Sequence, residues 1–215
     1  MICLHADPVL APGVAEGGGT HSYLREMLGF LEDSGSHHIL FTRWADAAAP
    51  AVERTSRLGE VRRLRIGDPG PLDKRELPGL HRVTLAALGE AVDQWGRPDL
   101  LHSIYWNSGE AAMDYGQANA LPFVHTVISN GWRRAEMGLL DQPEERLPTE
   151  RRVFAAARRI FCICPQERDD LVAAYGVSEE RVTVVGRPVA APFLDPPRDR
   201  NGAPRPKRLN AAARA

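Results

Sequence analysis

Three consecutive glycines and a helix-capping residue, Gly17-Gly18-Gly19-Thr20, stand where an apolar run gives way to a helical pattern. Glycine lets backbone N–H groups approach a ligand without Cβ interference, and a helix start adds unpaired donors and a partial positive charge. Such a turn can hold a phosphate or a sugar hydroxyl, although the same run also serves as a tight surface turn. Further polar groups fall at the ends of apolar runs: Tyr105, Asn107 and Ser108 after one, His125, Thr126 and Ser129 in or after the next. Hydroxyls, an amide and an aromatic gathered in one crevice suit a polyol or sugar better than an apolar ligand. Lys74 could add a point charge and Arg146 a bidentate fork for a phosphate. Each has an ordinary alternative as well, the two cations as solvated surface charges and His125 as a satisfied core histidine.

The elements that must position these groups alternate. Apolar runs at 1–6, 38–42, 99–105, 123–129, 160–164 and 182–185, with the arginine-containing stretch 61–66 as a further short strand, predict seven strands. Between them, helical spacing predicts helices from Thr20 to the Ser34-Gly35 stop, from about 77 to 95, from 109 to 119, from about 149 to 158 and from 165 to 175. Residues 47–60 are ambiguous, and 132–147 read as irregular. Short, continuously apolar strands separated by helices describe a doubly wound α/β domain, with a mostly parallel, seven-stranded Rossmann-like sheet covered on both faces. Ligands of such sheets bind at the carboxyl ends of the strands, so residues 17–20, 105–108 and 126–130 should converge on one crevice. One domain is expected over 1–193, with a disordered Pro/Arg/Ala-rich tail over 194–215.

Composition narrows the classes. With 27 basic and 28 acidic side chains the formal charge is -1, which offers no field for nucleic acid. A peripheral membrane contact stays open. Cys3, Cys162 and Cys164 lie in apolar runs without metal-ligand spacing, so no metal site is expected and a reducing, cytoplasmic setting fits. No stretch approaches the ~18 apolar residues of a membrane span.

A dinucleotide-dependent oxidoreductase domain is a weaker alternative, because roughly ten residues separate strand from glycines and Ser22 occupies the third glycine position. Thr42-Arg43 stands where an acidic residue would meet a ribose. No Gly-Lys-Ser/Thr follows the glycines, and no nucleophile elbow supports Ser-His-Asp hydrolysis.

Several stretches, taken in order, resemble one family. HADPVLAPGVAEGGGTHSY, DKRELP, HSIYWNSG (for H-x-H-Y-x-x-S-G), VHTVIS (for H-T-x-H-T) and ERRVFAAARRIFCICPQERDDLVAAYGVSEERVTVV are similar to the N-terminal, acceptor-binding domain of retaining family-four glycosyltransferases. That resemblance implies one half of the two-domain GT-B fold, with a nucleotide sugar as co-substrate and no cofactor. It implies an acceptor-phosphate clamp of Lys74, Tyr105, Ser129 (for threonine) and Arg146, with His21 where relatives carry asparagine. Residues 17–20 would then lie near the donor diphosphate across an interdomain cleft.

Departures from the family pattern sharpen the expectation. Ile128 replaces the second histidine of H-T-x-H-T, which in the family faces the reacting sugar, removing a polar group of a kind worth ~2 to 4 kcal/mol. Ile104 replaces the second histidine of H-x-H-Y, and 186–190 read GRPVA instead of a Gly-Val-Asp hinge. No second βα series follows residue 193, so the donor domain is expected on a separate chain or lost by truncation. The sequence therefore predicts the acceptor half of a glycosyltransferase acting on a polyol or sugar, possessing or lacking a phosphate, with an open cleft face free to self-associate. A non-catalytic sugar-phosphate or protein-binding domain is the alternative.

Overall fold

A computed structural model describes residues 1–9, 19–70, 72–73, 75–139 and 141–187. The expected tail, Gly17, Gly18 and Lys74 lie outside the described residues. Helix α1 (Gly19–Asp33) precedes strands β1 (His38–Arg43), β2 (Val52–Arg54) and β3 (Gly59–Leu64). Then come α2 (His81–Trp95), β4 (Leu101–Ile104), α3 (Trp106–Ala118), β5 (Phe123–Thr126), α4 (Gly131–Glu136), α5 (Arg146–Ala156), β6 (Ile160–Cys162), α6 (Pro165–Tyr175) and β7 (Val182–Val184).

The strands form a three-stranded set ordered β1-β3-β2 and a four-stranded set ordered β4-β5-β6-β7. Ile2 stitches them together through parallel bridges to Phe41 and Ser103. Backbone bonds from Ile2 N to His102 O (2.8 Å) and from Cys3 N to Phe41 O (3.0 Å) close the seam on both sides. Every pairing is parallel except β2 with β3. The α/β class is as expected, but the strands do not map one to one. The first expected strand is reduced to its bridging residue, and β2, an exposed three-residue edge, arises inside the ambiguous 47–60 stretch.

Alternation along the strands splits the core into two layers. Ile2, Leu4, Ile39 and Phe41 face Leu88, Ala112, Met113, Val153 and Phe154 on helices α2, α3 and α5. Cys3, Leu40, Val61 and Ile104 face Tyr23, Leu24 and Leu28 on α1. Full burial of one such leucine contributes about 1.5 to 3 kcal/mol. Gly109 allows α3 its close approach, since a Cβ there would lie 2.7 Å from Val153 Cγ1 and 2.9 Å from His125 Cε1. The helices differ from expectation, α2 starting at His81 rather than about 77. Helix α3 starts three residues early at Trp106, α5 starts at Arg146, and the stretch expected to be irregular contains α4, capped by Asn130 Oδ1 accepting from Arg133 N at 2.7 Å.

Candidate functional site

At the carboxyl end of β4 the chain turns into α3 through Tyr105, whose φ of 75° is one of two positive values among the described non-glycine residues. A bulky side chain adopts such a backbone only at a cost of roughly 1 to 3 kcal/mol, compensated by the surrounding structure. Here Tyr105 N donates to Thr126 O (3.3 Å) and Gly109 N to Tyr105 O (2.9 Å), fixing both sides of the turn. The strained conformation projects the phenol between the imidazole of His5, with ring centroids 4.2 Å apart, and the guanidinium of Arg146, 5.1 Å from the ring centre.

Arg146 opens α5 and is only 2% exposed. Its Nε donates to Glu150 Oε1 at 2.8 Å, one helical turn along. The other edge of the fork points forward: Nη2 donates to Ser129 O (2.8 Å) and Oγ (3.0 Å), and Nη1 approaches the Tyr105 hydroxyl at 3.4 Å. These groups border a cavity of about 530 Å³ at the strand ends. Thr20 and His21 enter it from the start of α1, Thr42 and Arg43 from the end of β1, and Ile128 and Ser129 from beyond β5. Arg134, Asp141 and Gln142 form the side beside α4, while Leu4, Leu72 and Leu77 supply apolar wall.

The charges are largely answered in place. Asp7 accepts from Arg63 Nε at 2.6 Å, Arg134 pairs with Asp141, and Arg146 carries Glu150 behind it. Arg43 donates to the carbonyls of Asp68 (2.9 Å) and Gly70, tying the 67–70 loop to the end of β1. A fork backed by a hydroxyl and a phenol is suited to a phosphate or carboxylate oxygen. Among the described residues no group of three or more His, Cys, Asp or Glu side chains could hold a metal, and no helix is long and apolar enough to cross a membrane.

The structure thus brings Tyr105, Ser129, Arg146, His21 and Thr20 to one cavity. Gly19 starts α1 without lining it, and the Arg187 guanidinium lies where a Cβ on Gly19 would reach, 2.6 Å from Nη1. Four other expected cleft residues are absent from its walls. His125, 1% exposed, pairs through Nδ1 with Ser103 Oγ at 2.8 Å, and burial holds its pKa down at about 3. Thr126 pairs with His102 Nε2 at 2.7 Å. Both lie within β5, whereas the chain reaches the cavity only past the last ladder pair. Ser108 Oγ accepts from Leu4 N at 3.0 Å, and Asn107 is buried in the first turn of α3. His5, Arg43 and Arg134 line the cavity unforeseen. Arg43 directly follows the strand expected over 38–42 and ends β1, so a strand-end rule selects it too.

The arrangement is that of an α/β ligand-binding domain with its site at the carboxyl ends of parallel strands. Residues 18–188 match the glycosyl transferase 4-like domain, and the chain belongs to that family. It is 31% identical over 193 residues to the D-inositol 3-phosphate glycosyltransferase of Pseudarthrobacter chlorophenolicus, covering 86% of this chain and 45% of that protein. The enzyme of the same description from Kribbella flavida is 34% identical over 192 residues, with 86% and 45% covered. The chain therefore spans less than half the length of these relatives. Its fold is similar to that of sucrose-phosphate synthase from Thermosynechococcus elongatus, with a TM-score of 0.82 at 24% identity, covering 91% of this chain and 49% of that one. Family membership replaces the oxidoreductase alternative.

Proposed function

We propose that this chain is the acceptor-binding half of a retaining glycosyltransferase, which receives a sugar from a nucleotide-sugar donor onto a phosphorylated polyol or sugar. The observation that carries the reading is the convergence of Arg146, Ser129, Tyr105 and His21 on one cavity, with Arg146 turned so that its Nη edge faces forward. The relatives' description as D-inositol 3-phosphate glycosyltransferases supports a phosphorylated cyclic polyol as acceptor. In this reading the phosphate accepts from the Arg146 fork and the two hydroxyls, with Lys74 adding charge. The ring lies against Ile128 and Leu4, and its free hydroxyl faces a donor bound by a second domain, on this polypeptide or another, across residues 17–20. The same open face can instead meet a second copy.

Ile128, 9% exposed at the cavity wall, favours a second reading. Without a hydrogen-bonding group there, the domain would bind sugar phosphates and not assist transfer. Calorimetric titration with D-inositol 3-phosphate and with unphosphorylated inositol tests the shared part. The phosphate ester should bind tighter, and Tyr105→Phe and Ser129→Ala should each weaken it by about 1 kcal/mol, roughly fivefold. Equal affinity for both ligands would refute a phosphate clamp. Sugar transfer from a nucleotide donor, assayed with the same chain, would remove the binding-only reading.

A further inference from the structure

The fork of Arg146 is held at the cavity by Ser129 and Tyr105 and from behind by a carboxylate. Glu150 is 1% exposed, and both of its oxygens are occupied. Oε1 accepts from Arg146 Nε at 2.8 Å, Oε2 accepts from Gly131 N at 2.8 Å, and the Tyr175 hydroxyl donates to Oε2. Tyr175 in turn accepts from Trp132 N at 3.0 Å. One carboxylate therefore gathers α5, the last turn of α6 and the turn that follows Ser129. That packing is tight at Gly131, where a Cβ would lie 3.0 Å from Glu150 Oε2 and 3.1 Å from Arg146 Nε.

The geometry points to Glu150 as the positioning residue that sets the cavity's preference for phosphorylated ligands, an inference that rests on the acceptor reading above. A buried arginine with Nε engaged by a carboxylate can present only its Nη edge, and that edge faces Ser129 and Tyr105. Through Gly131 N, the same carboxylate fixes the turn carrying the Ser129 hydroxyl. The fork and the hydroxyl are thus held relative to one another, which is what bidentate recognition requires. Tyr175 strengthens the arrangement by fixing Oε2.

Charge and position make opposite demands, so the two can be separated. Glu150→Gln removes a negative charge beside the fork. If net charge governed binding, phosphate affinity would rise. If position governs it, the amide nitrogen sets a donor against the N–H and O–H groups now facing Glu150, the fork loses its orientation, and affinity falls. The test is calorimetry on the full chain with D-inositol 3-phosphate and inositol, using wild type, Glu150→Gln, Tyr175→Phe, Arg146→Lys and the Arg146→Lys/Glu150→Gln pair. The preference for the phosphate ester should fall about tenfold in Glu150→Gln and about threefold in Tyr175→Phe, with inositol affinity held within about twofold. In the Arg146→Lys background Glu150→Gln should add no further loss, because Glu150 acts through the fork. Tighter phosphate binding, an unchanged preference, or equal losses for both ligands would overturn the positioning role alone. Should Glu150→Gln fail to fold, full preference retained by Tyr175→Phe would overturn it. No preference in wild type would instead overturn the acceptor reading itself.

Discussion

Replacing Asn107 with leucine should stabilise the protein and leave ligand binding unchanged. Asn107 lies in the first turn of α3 at 6% exposure. Neither end of its buried amide has a hydrogen-bond partner among the described residues, and the indole nitrogen of neighbouring Trp106 has none either. A buried polar group left unsatisfied costs about 1 to 3 kcal/mol. Leucine keeps the branched skeleton without the polar atoms, while its bulkier methyl groups cost roughly 1 to 2 kcal/mol in repacking. With two unsatisfied ends relieved, the net gain is about 1 to 2 kcal/mol, or roughly 2 to 8 °C in Tm for a chain of this size. Urea unfolding and thermal melting measure the gain, and calorimetry with D-inositol 3-phosphate measures binding. A drop in stability would mean that the amide is engaged in the native protein. A gain in stability with lost affinity would place the amide at the ligand, reversing its assignment as a core residue.

Two titrating groups make further predictions. Burial holds His125 at about 3, below the ~6.5 of an unfolded chain, so between these values the unfolded state binds more protons and stability falls as pH falls. His125→Gln should remove the His125 share of the change in urea midpoint between pH 7.5 and pH 5 and leave that of His102, which burial also holds at about 3; a difference between wild type and His125→Gln that is the same at both pH values would contradict the assignment. Glu167 moves the other way, pushed up to about 7 chiefly by burial, with Asp170 and Glu150 adding to the effect. Its native state holds the extra proton between about 4.5 and 7, so its contribution is lost as pH rises through that window. Glu167→Gln, which can still accept from Ile163 N at 3.0 Å, should stabilise the protein by about 2 kcal/mol at pH 8 and little at pH 4.5. A uniform gain at both pH values would assign the effect to packing.

How far the sequence reached depends on how local each signal was. β1 is buried at every position and its centre, Ile39-Leu40-Phe41, is continuously apolar, so it was legible. β2 was not, because Val52, Glu53 and Arg54 form an exposed or half-buried edge whose pairing is decided by β3. Arg146, Ser129 and Tyr105 were found through strand ends and a motif pattern, yet what joins them is tertiary. The i,i+4 spacing of Arg146 and Glu150 is visible in the chain, but not that the pair is buried or that Tyr175 closes it from α6. His125 and Thr126 were expected in the cleft because a polar residue within a strand and one beyond its end look alike in the chain. The β4 to β5 pairing runs to Ile104 opposite Thr126, so the first side chains free of it belong to the residues that follow.

The pairing of charges around the cavity narrows what its selectivity can rest on. Arg134 is answered by Asp141, Asp7 by Arg63, and Arg146 by Glu150, so these three pairs add little net field. Attraction of anions at a distance is then weak, and discrimination falls to directed donors at close range. Those donors are unusually well fixed: Tyr105 by a backbone turn at φ 75°, the His5 ring and the Arg146 guanidinium, Ser129 and Arg146 by one shared carboxylate. Ile128 and Leu4 give the same cavity an apolar wall with no competing hydrogen bond. A ligand with one compact anionic end and a ring that can lie against aliphatic side chains satisfies both surfaces, and a free anion or an uncharged polyol satisfies only one.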